Sequence, residues 1–400
     1  MNLKRNKSPF LVVIFVLCNL MQINVYAQNN LNQILNDIAK NNKSIIAYNQ
    51  LLKSQKTELK SQLNLKNPSV EFDNLKLTSD NLIEQRNILI SQTFDFPTAY
   101  FQKRKLVNAS IDNLKINAEI HKQDILFKAK QTFIELVFYN KYHLQLQKRF
   151  KNSRQLKNDI IVKFEKGDAT ILDVNKAKAN LINIKNKLVI AENKITELNQ
   201  KITVLNGGLE IKIKNITYPI ISNTEELETL AEKAITANYH LQNLNQKEKI
   251  SNYNIKLARA LSFPKIKAGY LQESAINERF GGISVGISIP LFENRNKVKA
   301  AKQQNIYYNL QKENFKNEFQ NIFIANFKKS QTLRNLLTEY NELLKNSNNE
   351  VLLQKALEFG EISTIEYFME VSFYYNTYDN FLQIEKEFYL AESELRKYQL

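Results

Sequence analysis

The chain contains 400 residues and carries a formal net charge of +16, with only 8 glycines and 6 prolines. So few glycines and prolines at this length predict long, uninterrupted secondary-structure elements. The lone cysteine, Cys18, excludes a disulfide framework and a cluster of cysteine metal ligands. The lysines are spread along the chain and are not gathered in one arm, so we interpret the charge as a solvated surface and expect no nucleic acid partner.

Residues 1–27 are predicted to be a secretory signal peptide. A basic start is followed by an apolar core at Phe10–Met21 and by Val25-Tyr26-Ala27, which is typical of a cleavage site. An uncleaved N-terminal anchor is the alternative, although the apolar run is short for a membrane-spanning helix. Lipidation is not expected, because Leu17 precedes Cys18 where a lipoprotein signal has a small residue. No later segment reaches about 18 consecutive apolar residues, so we predict that any membrane crossing uses β-strands.

The rest of the chain contains an internal repeat, which divides it into residues 28–206, a linker at 207–223, and residues 224–400. Each half is predicted to run helix, strand, loop, strand, long helix, glycine turn, helix. The aligned positions are Leu31 with Leu227, Asn42 with Asn238, and Pro68 with Pro264 at a shift of 196, then Pro97 with Pro290 and Gly167 with Gly360 at a shift of 193.

The predicted strands are residues 69–77 and 87–96 in the first half and residues 265–272 and 282–289 in the second. Their apolar and polar residues alternate, and their length suits a tilted strand that crosses a bilayer. Pro97 and Pro290 mark the two places where a strand gives way to a helix. Two hairpins packed on a soluble core are the alternative interpretation of the alternation. In the bilayer interpretation, Ser284, Gly286 and Ser288 face water and the neighbouring isoleucines face lipid.

Four strands cannot close a barrel, and open strand edges are not tolerated in lipid. The chain must therefore combine its strands with copies of itself. Two copies would give eight strands, which form a barrel filled by its own side chains. Three copies give twelve strands, and a trimer is the smallest assembly that could conduct.

The helices have coiled-coil character. From Val174 to Leu205 apolar residues recur at alternating spacings of three and four, and the seam continues at the shifted positions from Tyr374 to Tyr398. After Pro97 no glycine or proline occurs before Gly167, and a helix of that length would span about 100 Å. A glycine at the end of such a helix permits a reversal, so that the returning helix pairs with the outgoing one.

The pattern resembles the TolC family of outer-membrane efflux proteins, over the whole chain after the signal peptide. The segments that carry the resemblance are ISIPLFENRNKVKAA at 287–301, GDATILDVNKAKANL at 167–181 and GEISTIEYFMEVSFYY at 360–375. The resemblance implies a mainly helical mixed fold. Long antiparallel coiled-coil helices form a periplasmic α-barrel, and four strands per chain contribute to a twelve-stranded transmembrane β-barrel in a homotrimer.

The resemblance also implies partners and sites. The partners are outer-membrane lipid, a periplasmic adaptor protein, and an inner-membrane pump of the resistance-nodulation-division type or the ABC type. The tip turns, where the adaptor would dock, are Gly167, Asp168, Gly360, Glu361 and Ile362. Candidate periplasmic gate residues are Asp173, Glu366 and Glu370.

In relatives, acids at the positions of Asp173 and Glu366 lie near a constriction, where a ring of carboxylates would favour cations. The alternative is that Asp173 and Glu366 only stabilise helix N-termini electrostatically. Where some relatives have an arginine, this chain has Ile362, so a salt-bridge latch of that kind is not expected.

An enzyme is not predicted, and no cofactor or metal is expected. The three histidines, His121, His143 and His240, have no ligand spacing, and no nucleotide-binding or nucleophile motif occurs. The alternative function is a secreted or intracellular coiled-coil scaffold without channel activity. A scaffold would explain the heptads but not the signal peptide, the strands or the repeat.

Overall fold

The computed structural model of the chain describes residues 31–76, 84–211, 213, 216–221, 225–275, 278–345 and 349–400. The predicted signal peptide therefore lies outside the described residues. The chain divides into two compact units. The helical unit is Met1–Ile46, His121–Ala237 and Gln320–Leu400, and the sheet unit is Ala47–Ile120 and Asn238–Phe319. Each unit takes segments from both predicted repeats.

The elements follow one another in a repeated order of helices and strands. Among the described residues, no helix combines the length and the apolar character needed to cross a membrane. The elements are α1 (31–41), α2 (Lys43–Ser61), β1 (Ser69–Lys76), β2 (Glu84–Phe94), α3 (Pro97–Glu165), α4 (Ile171–Leu205), α5 (Leu227–Ala237), α6 (Tyr239–Ala260), β3 (Lys265–Ala275), β4 (Glu278–Ser288), α7 (Lys297–Lys345), α8 (Asn349–Glu358) and α9 (Thr364–Leu395), followed by a 3₁₀ turn at Lys397–Gln399.

The internal repeat extends to the way in which helices begin. Asn42 caps α2, because its side-chain oxygen accepts hydrogen bonds from the backbone N–H groups of Ser44 at 2.9 Å and Ile45 at 3.0 Å. Asn238 lies 196 residues later and caps α6 by accepting from Leu241 at 3.1 Å. Asparagine at this position satisfies amides that the helix itself leaves unpaired. The prediction of a mainly helical fold with four strands and an internal two-fold repeat is confirmed.

The four strands form a single antiparallel sheet in the order β1-β2-β3-β4. The central pairing joins the two halves of the chain, with Ile90 opposite Tyr270 and Phe94 opposite Ile266. The sequence predicts two strand pairs, and the structure fuses them into one sheet. Its outer edges are β1 from the first half and β4 from the second.

The two junctions between strand and helix differ in detail. Pro97 is the first residue of α3, a position where proline fits because its missing N–H would be unpaired anyway. The predicted second strand runs to Phe96, whereas β2 ends at Phe94, because the backbone N–H of Asp95 donates to the hydroxyl of Tyr100 at 2.9 Å. After Pro290, in contrast, α7 begins only at Lys297. Asn296, just before it, has a positive φ of 64°.

The largest hydrophobic core of the helical unit joins α1, α3 and α4. Phe133, Ile134 and Leu198 are almost fully buried in it. The predicted seam of α4 is visible in its heptad spacing, because Ala177, Ile184, Ala191 and Leu198 are all buried. The second seam is also visible, with Phe388, Ala391 and Leu395 buried in α9. Larger side chains fill this second seam, as the sequence indicates.

Candidate functional site

The sheet has two chemically different faces. Because strand residues alternate in direction, the pairing register assigns each side chain to one face. The row Ser69–Ser91–Gly269–Ser284 belongs to the polar face, and the row Val70–Ile90–Tyr270–Ile283 belongs to the apolar face. The polar face also contains Glu71, Asp73, Asn87, Thr93, Lys265, Lys267, Glu273, Gly286 and Ser288, together with the apolar residues Leu75, Leu89, Leu271 and Phe280. The apolar face also contains Phe72, Ile88, Phe94, Ile266, Ala268, Val285 and Ile287, together with Gln92 and Gln272.

The apolar face is the more exposed of the two. Ile283 is 87% exposed, Val285 70% and Ile287 69%. On β2 the apolar-face residues Ile88 and Ile90 are exposed, and on β3 so are Ile266, Ala268 and Tyr270. The polar-face residues that lie between them in sequence are partly covered. Ser91, in the middle of the polar face, is only 3% exposed. A sheet packed on a soluble core would show the opposite arrangement.

The apolar face has a limited height. Its rows run from Phe94, Ile266 and Ile287 at one end to Phe72 and Ile88 at the other, about 20 Å apart along the strands. The next row on this face contains Asn74, Arg86 and Arg279, and is polar and charged. Because tilted strands rise by less than their length, this band is shorter than the apolar band of about 25 Å around transmembrane barrels, and a charged row bounds it at one end.

The polar face is tied together by side-chain contacts across strands. The ammonium of Lys267 on β3 reaches the carboxylate of Glu71 on β1 at 3.3 Å, and the hydroxyls of Ser69 and Ser91 are 2.8 Å apart. Gly269 lies opposite Ser91, and a Cβ at Gly269 would meet the carbonyl oxygen of Ile90 at 2.5 Å. The predicted water-facing residues Ser284 and Gly286 lie on this face, beside Gly269 and Lys267.

In the helical unit, the two tip turns have the same geometry. Gly167 and Gly360 have positive φ angles of 84° and 75°, which favour glycine. In the first turn the N–H of Asp168 donates to the carbonyl of Lys163 at 2.8 Å, and in the second the N–H of Glu361 donates to that of Ala356 at 2.8 Å. Both bonds close a Schellman motif, which ends the preceding helix.

The predicted gate residues Asp173 and Glu366 complete capping boxes after these turns. Asp173 accepts from the backbone N–H of Thr170 at 2.9 Å, while the Thr170 hydroxyl accepts from the N–H of Asp173 at 3.2 Å. Glu366 and Ser363 make the same two bonds at 2.7 and 3.2 Å. The bonds from Thr170 hold the pKa of Asp173 below its ordinary value, and those from Ser363 do the same for Glu366. Both acids are therefore ionised at neutral pH.

One hydrophobic cluster holds the first turns of α4 and α9 together. It contains Val174 from α4 and Tyr367 and Phe368 from α9, all nearly buried. Ile362, predicted in the docking surface, packs against this cluster. Glu370 lines a separate groove of about 370 Å³ whose other walls are apolar. The groove is formed by Leu343, Leu344, Leu352, Leu353, Phe373, Tyr374 and Thr377.

The side chains that surround the tips include exposed apolar groups. Leu172 is 74% exposed, Phe359 78% and Met369 65%. Phe359 directly precedes Gly360, Met369 directly precedes Glu370, and Leu172 lies about five residues after Gly167. The tips thus combine a buried cluster with an apolar outer surface.

A network of buried charges links α3 to α8 and α9, and the sequence analysis missed it. Arg149 on α3 is 3% exposed, lies 2.7 Å from the Asp379 carboxylate and stacks on the ring of Tyr375. Glu350 on α8 accepts hydrogen bonds from Tyr375 and Asn152, each at 2.6 Å, and pairs with Lys148. Burial alone would raise the pKa of Glu350, but the bonds from Lys148, Tyr375 and Asn152 outweigh burial and lower it.

Within the described part of the chain, no three His, Cys, Asp or Glu side chains are placed to hold a metal ion. His143 lies 3.2 Å from the carboxylate of Glu192, and His121 lies 2.9 Å from the hydroxyl of Ser44. Both histidines thus have partners on neighbouring helices.

No protein-family model matches this chain, and no curated protein matches its sequence. Solved structures do match its fold. The chain shares the fold of outer-membrane channels, and the resemblance to the TolC family is confirmed at the level of the fold.

The similar structures include a membrane protein from Pseudomonas aeruginosa, with a TM-score of 0.75 at 13% identity over 92% of this chain and 90% of that one. The transmembrane channel CusC aligns with a TM-score of 0.74 at 13% identity, over 93% of this chain and 92% of its own. The CmeC outer membrane channel of Campylobacter jejuni aligns with a TM-score of 0.69 at 15% identity, over 92% and 85%.

Proposed function

We propose that this protein is the outer-membrane exit duct of a tripartite efflux or secretion system and conducts solutes passively. The observation that carries the proposal is the inverted exposure of the central strands β2 and β3, whose apolar side chains are exposed while the polar-face side chains between them are partly covered. Lipid is the solvent that matches the apolar face, and a water-filled lumen matches the polar one. In this arrangement Ser284, Gly286 and Ser288 line the lumen. The fold shared with outer-membrane channels supports the proposal.

The open edges of the sheet support an assembly of several copies. Within the described residues, β1 and β4 each have one edge without a partner strand. In a bilayer those backbone groups must be paired, so β1 of one copy pairs with β4 of the next. Such an interface joins two different surfaces and closes into a ring. Three copies supply twelve strands, the smallest set that leaves a channel.

The proposed function also implies a location in the cell for each part of the chain. The sheet lies in the outer membrane, residues 1–27 direct export and are cleaved, and the helices occupy the periplasm. Their tips at Gly167, Asp168, Gly360, Glu361 and Ile362 dock on a periplasmic adaptor, which connects the duct to an inner-membrane pump of the resistance-nodulation-division or ABC type. The exposed apolar groups beside the tip turns, such as Leu172 and Phe359, support a protein partner there.

The gate assignment rests on the tips of α4 and α9. Asp173 and Glu366 are ionised and lie at helix starts that share one cluster. Three copies would place six such carboxylates, with Glu370 nearby, around one axis. A ring of this kind favours cations over anions.

Disulfide cross-linking tests the proposed assembly, because a chain cleaved after Ala27 has no cysteine of its own. One cysteine replaces Val70 on β1 and a second replaces Ile283, Val285 or Ile287 on β4, so that one pair comes into register between copies. We expect a covalent ladder that ends at three copies. The matched control, Ile90→Cys with Tyr270→Cys, joins directly opposed central strands and should give only a link within one chain.

A ladder that ends at two copies, or none in any register, would refute the trimeric channel. Cell fractionation separates the channel from the alternative function, a coiled-coil scaffold. A scaffold would be recovered with the soluble fraction, while the channel would be recovered with the outer membrane.

A further inference from the structure

A belt of cations lies where the sheet meets the helices. All four connections between helix and strand leave the same end of the sheet, because Phe94, Ile266 and Ile287 are aligned there in neighbouring strands. The connections also touch one another, since the side-chain amide of Asn294 donates to the carbonyl of Leu261. These segments, 62–68, 95–105, 259–265 and 289–302, contain ten cations and only two acids, Asp95 and Glu293.

Intramolecular pairing does not account for this charge. Glu293 is already engaged with Lys265 at 2.6 Å. Within the part of the chain that the structure describes, Arg104, Arg295, Lys299 and Lys302 are exposed and have no ion pair. We define the junction belt as these exposed cations: Lys66, Arg104, Arg259, Arg295, Lys297, Lys299 and Lys302.

The helix dipoles account for Arg259, in the last turn of α6, but not for the cations at the start of α7. Cations stabilise the C-terminal end of a helix and destabilise the N-terminal end. Lys297 and Lys299 lie in the first turn of α7, which contains no acid, and the first turn of α3 has none either. The charge at the start of α7 is therefore unfavourable for the isolated chain, and an external anion would offset it.

Exposed aromatic and apolar side chains lie beside the junction belt. Leu291 is 73% exposed, Phe292 81% and Phe101 56%, and the rings of Phe96 and Phe263 are 5.1 Å apart. These groups continue the apolar face of the sheet up to the cations. An apolar band that ends in aromatic rings and then in exposed lysines matches the order of a bilayer from acyl chains through interface to headgroups.

We propose that the junction belt binds the anionic headgroups of phospholipids in the leaflet on the helix side of the membrane. The proposal rests on the proposed insertion of the sheet in a membrane. The ligand chemistry is a lipid phosphate held by lysine and arginine, with its acyl chains against Phe292 and Leu291. The belt would fix the depth of the sheet in the bilayer and favour anionic lipids around it.

The test compares two triple variants of the full chain that lose the same charge. The first is Lys297→Gln, Lys299→Gln and Lys302→Gln in the junction belt. The matched control is Lys178→Gln, Lys185→Gln and Lys187→Gln, which removes three exposed lysines from α4 in the helical unit. Each protein is measured in neutral detergent for binding of fluorescent phosphatidylglycerol and of fluorescent phosphatidylcholine. Flotation with phosphatidylcholine vesicles measures membrane insertion independently.

We expect the original chain and the control variant to prefer phosphatidylglycerol, and the junction variant to lose about tenfold or more of that preference. Flotation of all three proteins without any preference for phosphatidylglycerol would overturn the lipid belt and leave the channel proposal intact. Failure of all three to float would overturn both. If inorganic phosphate displaces phosphatidylglycerol at equal concentration, the cations form a phosphate ion site and the lipid proposal is wrong.

Discussion

The guanidinium of Arg149 and the carboxylate of Asp379 form a buried ion pair, 2.7 Å apart, between α3 and α9. The partners come from opposite halves of the chain, and Arg149 is 3% exposed. A buried charge that loses its partner is far more costly than an exposed one. This pair therefore fixes α9 against α3 well away from the tip turns.

Replacing Asp379 by Asn is expected to destabilise the protein by about 3–5 kcal/mol, because Arg149 stays buried without a counter-charge. The loss is measured as a lower unfolding midpoint in detergent. Glu197→Gln is the control, since Glu197 pairs with Lys194 and Lys201 on the surface of α4 and should change the midpoint little. The double variant Arg149→Met with Asp379→Leu should recover much of the loss, and a double variant as unstable as Asp379→Asn would contradict the explanation.

The two roles open to Asp173 and Glu366, gate and helix cap, can be separated. Asp173→Ala with Glu366→Ala removes both the charge and one half of each capping box. Thr170→Ala with Ser363→Ala removes the other half, keeps both carboxylates, and should cost about 1 kcal/mol of helix stability for each cap. In planar bilayers we expect the first pair to raise the current and reduce cation preference, and the second to keep cation preference.

If both pairs of variants change the current equally, the caps and not the charges control conduction.

The lowered pKa values of the two acids add a pH dependence. Their contribution to stability is present above the ordinary carboxyl pKa and is lost only as the pH falls through the lowered values. Cation preference should therefore be constant from neutral pH down to about pH 5.

The hydrophobic cluster that joins the first turns of α4 and α9, which contains Tyr367, is expected to loosen at alkaline pH. Burial, followed by the charge of Glu350, raises the pKa of Tyr367 to about 12 from an ordinary value of 10.0. A group with a raised pKa contributes stability that is complete below the unfolded value and disappears as the pH rises through the folded value. Unfolding midpoints should thus decline between about pH 10 and pH 12.

Tyr367→Phe is expected to reduce this decline, because a phenyl ring cannot ionise. Tyr307→Phe, at an exposed position of α7, serves as the control and should leave the decline unchanged. Equal pH curves for both variants would show that the alkaline transition starts elsewhere.

Gly269 is expected to be essential for the close pairing of β3 with β2. An added Cβ would lie 2.5 Å from the carbonyl oxygen of Ile90 and 2.9 Å from the Cβ of Ser91, both on the neighbouring strand β2. Neither atom can move away without a shift of that strand. We expect Gly269→Ala to destabilise the sheet by about 1–3 kcal/mol and to reduce assembly. Gly282→Ala in β4 has nothing within 4 Å of its Cβ and is the matched control. Assembly is measured as the fraction of folded oligomer on native gels, and equal fractions would refute the steric argument.

Local signals in the sequence predicted much of the fold. The alternation in the strands, the glycines at the tips and the shifts of 196 and 193 all correspond to structural features, because a turn or a helix start depends on a few neighbouring residues. The capping boxes were readable in the same way, since Thr170 precedes Asp173 by three residues and Ser363 precedes Glu366 by three. The two acids therefore cap their helices through hydrogen bonds as well as through their charge.

Contacts between residues far apart in the chain could not be predicted from the sequence. Arg149 and Asp379 are 230 positions apart, and neither belongs to a local pattern. The pairing of β2 with β3, which fuses two predicted pairs into one sheet, depends on the same long-range packing. The start of α7 at Lys297 also depends on a tertiary contact, because the side chain of Asn294 donates to the carbonyl of Leu261 before the helix begins.

The exposed apolar face of the sheet also has a consequence for biogenesis. A single copy in water would present side chains such as Ile283 together with two unpaired strand edges, which is the template that drives edge-to-edge aggregation. Folding of one chain therefore cannot be completed before assembly. In the proposed outer-membrane duct, edge pairing and entry into lipid would therefore have to follow export closely, and a chain delayed between these steps would be exposed to aggregation and proteolysis.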